Sequence, residues 1–400
     1  MFKNVVVGIS GGVDSAVAAF MLKNKGFNVT GVFMKNWDIL DETGRCATEK
    51  DHEHALWVCN KLRIPLVEVN FVKEYWNNVF SYLIDHYEKG RTPNPDILCN
   101  KYIKFDKFFH FARTELHADA IATGHYVRTS FGPYLEHFKP DTGVHLLKAR
   151  DKNKDQTFFL CQIPQHTLRY SMFPLGNHLK NNVKQIAKEA GLDLIVRKKE
   201  SMGICFVGKR NFQDFISEYI SDKPGDFVDL DSGQVVGKHL GFHHWTIGQR
   251  TKIAGSLEAY FVQKKDVVTN NIIVVRGTHH PALYSNFMMA ESAYWIHKEP
   301  EQFNNYFRIL NCDFRSQHRY PVISCLLHKT INDQLLIRIS LPARAVTDGQ
   351  FAVFYNDEEC LGSAPIVCTG PSYHSLKQEV NVEQLPDYYK PEEEFAHATV

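Results

Sequence analysis

Over the first 125 residues, short β-branched runs alternate with segments of helical spacing. Residues 3–9 and 28–34 are nearly continuous apolar runs, the pattern of strands buried on both faces. Between them Val13, Val17, Phe20 and Met21 recur at helical spacing until Gly26, a stop residue because glycine tolerates the left-handed conformation. Asp51 is placed to cap a second helix carrying Ala55, Val58, Cys59 and Leu62 on one face, and residues 64–70 read as a third strand. Residues 72–88 predict a helix, 91–99 a proline-punctuated loop, 102–116 a helix and 118–124 another buried strand. Strand and helix in alternation predict an α/β fold with a doubly wound parallel sheet.

From about residue 201 the texture changes to Gly, Pro and Asp-Ser-Gly turns, with short runs such as 234–237 and 272–275 between them. A small, mixed or β-rich central domain is expected at 208–278, after a first domain spanning 1–207. Beyond it, 307–315, 322–330, 335–345, 350–355 and 361–367 are strands at hairpin-like intervals, predicting a compact C-terminal β-barrel over 279–369. Residues 370–400 read as a flexible acidic tail.

At 44% hydrophobic and 23% charged residues, the chain has the balance of a folded protein rather than a disordered or collagen-like one. No stretch approaches the roughly 20 uninterrupted apolar residues that a membrane-spanning helix needs, so no membrane partner is expected. Lysine and arginine number 46 against 45 acids, so nucleic-acid contact must come from a local patch. The nine cysteines, at 46, 59, 99, 161, 205, 312, 325, 360 and 368, include no C-x-x-C pair. Individually used thiols fit this better than a disulfide scaffold, a zinc ribbon or a cluster-ligand run.

Ser10-Gly11-Gly12-Val13-Asp14-Ser15 falls at the first strand-to-helix turn. Two glycines let the backbone approach an anion, two serines offer hydroxyls, and the helix start aims unpaired N–H groups and its positive dipole end at a phosphate. It is neither a Walker loop nor a G-x-G-x-x-G fingerprint. Asp14 would repel that phosphate unless Mg²⁺ intervened, which implies a metal nearby. The loop resembles the pyrophosphate-binding motif of PP-loop ATP pyrophosphatases, which adenylate an oxygen and release pyrophosphate.

Two further motifs narrow the choice. Gly90-Arg91-Thr92-Pro93-Asn94-Pro95-Asp96-Ile97-Leu98-Cys99-Asn100 presents an acid and a thiol three residues apart, and Glu200-Ser201-Met202-Gly203-Ile204-Cys205-Phe206-Val207-Gly208 places a second thiol between small residues. If the fold brings these distant cysteines together, one can carry sulfur as a persulfide and the other can resolve it. Lys198, Lys199 and Lys209 would favour thiolate if they point inward.

With these motifs the chain resembles the tRNA 2-thiouridylases, over nearly residues 1–367. The likeness includes Val32-Phe33-Met34-Lys35-Asn36-Trp37, Lys73-Glu74-Tyr75-Trp76, Ala122-Thr123-Gly124-His125-Tyr126, Lys154-Asp155-Gln156-Thr157-Phe158-Phe159-Leu160, Thr246-Ile247-Gly248-Gln249-Arg250 and Asp348-Gly349-Gln350-Phe351. The resemblance implies a PP-loop ATP pyrophosphatase domain followed by the central domain and barrel. It implies that Gly8, Ile9, Ser10, Gly11, Gly12, Val13, Asp14 and Ser15 hold ATP phosphates, with Met34 and Gly124 at the nucleotide. Asn94, Pro95 and Asp96 would contact the target base, Asp96 being the acid/base. Cys205 would carry the persulfide and Cys99 would be its nucleophilic, disulfide-forming partner. His125, Lys154, Asp155 and Gln156, and in the barrel Arg315, Gln317 and Gln350, would touch tRNA.

The implied reaction is ATP-dependent 2-thiolation of the wobble uridine in the anticodon stem-loop, on mitochondrial tRNAs for Lys, Glu and Gln. ATP and Mg²⁺ are the expected cofactors, a persulfide-relay protein supplies sulfur, and no iron–sulfur cluster is expected. Met202 and the extended acidic end resemble the mitochondrial branch, although no Arg-rich leader precedes the first strand; a cytoplasmic location is the alternative. Two rival functions stay open: a PP-loop amide ligase acting on a small metabolite, in which both cysteines are dispensable, and an RNA-binding protein without tRNA-dependent ATP consumption.

Overall fold

Val5, Val6 and Val7 are all buried in β1 (Asn4–Gly8), which lies at the centre of a sheet covered on both faces. The next strands are β2 (Asn28–Lys35), β3 (Leu66–Asn70), β4 (Ala120–Ala122), β5 (Arg128–Thr129), β6 (Leu146–Leu147) and β7 (Ser171–Met172). Five of them form a parallel sheet in the order β3-β2-β1-β4-β7. The chain steps one way through α1 (Val13–Asn24) and α2 (Ala47–Leu62), then returns from β3 to β4. Right-handed crossovers therefore put these helices on one face and the helices of residues 72–114 on the other. The order reverses between β1 and β4, the place where such sheets open a crevice at their carboxyl ends. The structure, a computed structural model, describes residues 2–37, 47–198, 207, 210–251, 253, 255 and 258–385.

Two local expectations are corrected, and one strand has no counterpart among them. Asp51 lies inside α2, where its carboxylate accepts from Lys198 Nζ at 2.6 Å, rather than at the cap. Residues 91–99 are not all loop: Pro95–Cys99 is helical, with Asn94 accepting from the Ile97 N–H at 3.2 Å. Asparagine followed by proline is a helix start because the asparagine caps and proline's missing N–H is not needed at the first position. The fifth strand, β7, has two residues and too little length to show a period.

The central region holds β8 (Gly225–Asp229), β9 (Val235–His239), β10 (Arg250–Thr251), β11 (Tyr260–Asp266) and β12 (Asn271–Arg276), in the order β10-β11-β12-β8-β9 with one parallel pairing, β12 with β8. The last region holds β13 (Tyr284–Ala290), β14 (Tyr294–Trp295), β15 (Ile309–Arg315), β16 (Ile323–Lys329), β17 (Leu335–Arg344), β18 (Phe351–Asn356) and β19 (Glu359–Thr369). The antiparallel path β13-β17-β16-β15-β18-β19 closes through β13–β19 into a six-stranded barrel. Closure removes the exposed edges that an open sheet would leave. Inward residues such as Leu310, Phe314, Leu327, Ile337 and Phe354 fill it.

The barrel is not confined to the end of the chain. β5 and β6, which lie between two strands of the parallel sheet, extend the barrel sheet through the pairing of β6 with β19. Phe351, Val353, Tyr355 and Cys360 share one apolar cluster with the parallel sheet. Residues 371–385, expected to be tail, are packed: Tyr373 N donates to Tyr284 O at 3.0 Å, and Leu385 is buried beside Leu283 and Tyr284. Among the described residues no helix is long and apolar enough to cross a membrane.

Candidate active site

The phosphate loop leaves β1 at Gly8 and enters α1 at Val13. Gly11 has φ +70°, and a Cβ there would collide with the Asp51 carbonyl oxygen, so this turn requires glycine. Ser15 Oγ accepts from Ser10 N at 3.1 Å, lies 3.2 Å from Ser10 Oγ and donates to Gly12 O at 3.1 Å. These contacts fold the loop around the first turn of α1, whose unpaired N–H groups could hold an anion. Met34 on β2 packs beside Gly8, its Cε 3.1 Å from where a Cβ would stand. Across the β1/β4 reversal, Gly124 lies against the same helix start: a Cβ there would be 2.6 Å from Ser15 N. Overpacking costs about 1–3 kcal/mol, so Gly124→Ala should weaken ATP binding about 10-fold or more. Isothermal titration calorimetry checks this, and unchanged affinity would remove Gly124 from the site.

Asp14 is already compensated. Both of its oxygens accept from Lys180 Nζ at 2.7 Å, and Oδ1 also accepts from Tyr126 Oη at 2.8 Å. The sequence contains no motif that announces Lys180, because its partner lies 166 positions away. The charge argument for a metal at Asp14 is thereby corrected. A carboxylate engaged by an ammonium and a phenol needs no cation to offset its charge. Lys198 donates to Asp51 at 2.6 Å and to Gly11 O at 3.4 Å, bracing the loop and α2. Lys199 and Lys209 lie outside the described residues.

Asp96 and Cys99 share the short helix Pro95–Cys99, three residues apart and so on one face. Cys99 is buried. Asp96 is exposed by surface area, yet desolvation raises its carboxyl above the usual range, with Lys104 opposing. The helical stretch continues through Lys104 and Phe105, whose ring lies 5.7 Å from that of His125, next to Gly124. The barrel meets this segment directly: Asn94 Nδ2 donates to Gln350 Oε1 at 3.3 Å, and Thr92 N donates to Asp348 O at 2.9 Å. Thus Gln350 and Asn94, 256 positions apart, face one another.

Several residues expected at a tRNA surface are internal. Asp155 is 4% exposed and Arg315 7%, and they form an ion pair at 3.0 Å that joins the first region to the barrel. Arg315 also donates to Tyr355 Oη at 2.8 Å and His318 O at 3.1 Å. Gln156 Oε1 accepts from Tyr126 N at 2.8 Å, and its own N–H donates to Tyr126 O. It therefore positions the tyrosine that holds Asp14. His125 is buried, 2.8 Å from Thr123 Oγ1, and desolvation with help from Lys104 holds its ring neutral well below the ordinary histidine range. These are struts between the nucleotide loop and the barrel. Lys154 and Gln317 are half-buried.

Burial also sorts the thiols. It pushes Cys59 up to about 11 and Cys161 up to about 12, and raises Cys360 well above the ordinary range, so none of the three is a thiolate at neutral pH. Cys205, the expected persulfide carrier, lies outside the described residues.

Residues 3–209 match the family described as tRNA methyl transferase HUP domain, 213–276 the tRNA methyl transferase PRC-barrel domain and 285–366 the aminomethyltransferase β-barrel domain. The chain is 50% identical over 371 residues to mitochondrial tRNA-specific 2-thiouridylase 1 of Drosophila melanogaster, covering 93% of this chain and 95% of that one. It is 46% identical over 391 residues to the Homo sapiens protein of the same name, with 94% and 93% covered. Against tRNA-specific 2-thiouridylase MnmA of Staphylococcus aureus it is 43% identical over 364 residues, with 90% and 94% covered. Likeness at this level runs through the phosphate loop, the Asp96–Cys99 helix and the barrel that meets it, and the chain belongs to the tRNA-specific 2-thiouridylases, a family of tRNA sulfurtransferases.

Proposed function

We propose that this chain thiolates C2 of the wobble uridine of tRNA, activating the C2 oxygen with ATP and taking sulfur from a cysteine persulfide. The observation that carries this is the contact of Gln350 with Asn94, which sets a barrel face over the helix bearing Asp96 and Cys99. The uridine leaves its stack at a cost of a few kcal/mol, least in a single-stranded anticodon loop. Its O2 attacks the α-phosphorus of ATP, giving O2-adenylated uridine and pyrophosphate. The loop from Gly8 to Ser15, with Met34 and Gly124, holds the nucleotide, and Mg²⁺ arrives with ATP as part of the substrate.

Sulfur then attacks C2, and AMP departs with the oxygen. In one route the terminal sulfur of a Cys205 persulfide attacks and the Cys99 thiolate cleaves the S–S bond, leaving a Cys99–Cys205 disulfide. In the other, Cys99 attacks first and releases hydrosulfide as the nucleophile. Asp96, whose carboxyl is raised by desolvation above the ordinary range, is the acid/base. Asn94 and Pro95 lie beside it, and a base bound there would replace the Gln350 contact of Asn94. Lys154 and Gln317, both half-buried, are the remaining candidates for RNA contact. The absence of C-x-x-C favours a persulfide relay protein over an iron–sulfur cluster as the sulfur source.

The names of the animal relatives favour a mitochondrial location; the wobble uridines of the tRNAs for Lys, Glu and Gln are the targets we propose. The test combines protein, ATP, Mg²⁺, a persulfide donor and unmodified tRNA, followed by mass spectrometry of the nucleosides. Cys205→Ser should abolish 2-thiouridine yet bind ATP as the parent does. Thiolation surviving in that variant would eliminate the persulfide route, and ATP consumption independent of tRNA and of both cysteines would turn the assignment toward a small-metabolite ligase.

A further inference from the structure

We propose that Asp222, His243 and His244 form a site for one divalent transition-metal ion, Zn²⁺ by the chemistry of the donors, at the junction between the first region and the central sheet. One ligand atom from each side chain converges within 4.8 Å of the others. His244 Nε2 lies 2.7 Å, and His243 Nε2 3.4 Å, from the same Asp222 oxygen. The two imidazole centroids are 4.1 Å apart. Both histidines are buried while Asp222 is exposed, so the set has a protein-walled back and an open front.

A pair of hydrogen bonds to Asp222 does not account for this arrangement. His244 Nε2 satisfies the carboxylate, but His243 Nε2 is buried with no hydrogen-bond partner, as is His244 Nδ1. A buried unsatisfied nitrogen costs about 1–3 kcal/mol. A metal ion removes that cost at His243, because the ring lone pair aimed into the cluster becomes a ligand. His243 and His244 are successive residues of the short 3₁₀ turn Phe242–His244, and both ring nitrogens reach the same Asp222 oxygen. A Cβ on the preceding Gly241 would collide with the His243 ring as placed, so a larger residue there would push that ligand aside.

The dimensions agree. Tetrahedral zinc with bonds of about 2.0–2.2 Å holds its ligand atoms about 3.3 Å apart. The His243–Asp222 separation already has that value, and the His244–Asp222 pair must open by about half an ångström as the metal replaces the proton between them. Two nitrogens and one carboxylate oxygen, with a position left for water, are a zinc donor set. A second cluster, Asp231, His280 and His374, lacks this readiness. His280 Nδ1 already accepts from Ala282 N at 3.2 Å, so its Nε2 carries the proton and faces Asp231 as a donor.

The position gives the site a role. Asp222 leaves the helix Phe212–Ser217, whose Phe215 and Ile216 belong to the first region's core, whereas Phe242 belongs to the central core. Gln213 Nε2 already donates to His244 O at 3.2 Å. A bound ion therefore clips the two regions together, independently of the thiolation reading.

The full-length chain, stripped with chelator, is titrated with Co²⁺ and then with Zn²⁺. We expect one equivalent of Co²⁺ with visible d–d absorption and without thiolate charge-transfer bands, displacement by Zn²⁺, and a rise in melting temperature with Zn²⁺. His243→Gln and the double variant His243→Gln/His244→Gln should lose the d–d signal and the thermal rise, whereas His280→Gln/His374→Gln keeps both. No stoichiometric d–d signal in the parent chain, or a signal that persists in the His243 variants, overturns the site. The parent measurement stands even if a variant fails to fold.

Discussion

Arg315→Ala should destabilise the protein by about 3–5 kcal/mol, the usual cost of removing one partner from a buried ion pair. Asp155 keeps its N–H contacts from Ala149 and Thr157 and the Thr157 hydroxyl. Those are dipoles, and they leave a carboxylate at 4% exposure without a counter-charge. Tyr355 Oη loses the closer of its two donors at the same time, keeping Thr157 Oγ1 at 3.3 Å. The double variant Asp155→Asn/Arg315→Met removes both charges and should recover a large part of the loss, because a paired buried charge is costly mainly when broken. Thermal unfolding of the four members of this cycle measures the coupling. A tRNA-gripping arginine behaves otherwise: its loss would leave stability untouched and flatten the salt dependence of tRNA binding by about one unit. That pattern would return Arg315 to the RNA surface.

Lys180→Met should weaken ATP binding about 30-fold or more. Lys180 is 7% exposed and its ammonium holds both oxygens of Asp14 in the first turn of α1. Without it, a bare carboxylate stands beside the incoming phosphates. At an effective dielectric near 20, like charges about 5 Å apart repel by about 3 kcal/mol. Asp14 is one-third exposed, so screening reduces this to about 2 kcal/mol, which is the 30-fold expected. Asp14→Asn/Lys180→Met should bind ATP better than Lys180→Met alone, since the repelling group has gone. Calorimetric titration of the three variants decides the matter. Affinity in Lys180→Met equal to that of the parent would mean that the phosphates never approach Asp14.

Strands of the first sheet were legible because residues such as Val5, Val6 and Val7 form runs that only a strand covered on both faces tolerates. The phosphate loop was legible because its chemistry is local: glycine at positive φ, serine hydroxyls and a helix start occupy six adjacent residues. Asn94-Pro95 carried a helix-start signal that the neighbouring prolines masked. The exposed appearance of Lys154-Asp155-Gln156 misled, since polar residues in a turn look solvated until the partner that buries them is known.

The chain's own pattern determined the α/β class, the glycine- and serine-rich turn between β1 and α1, and the barrel's strand spacing, all from forces that act over a few residues. Only the tertiary structure decided that Lys180 neutralises Asp14, that Arg315 locks Asp155 inside the protein, that Gln350 reaches Asn94, and that His243 and His244 turn toward Asp222. The physical reason is that a buried charge or orphaned nitrogen is satisfied by whatever the fold brings within hydrogen-bonding distance, and sequence separation places no limit on that partner.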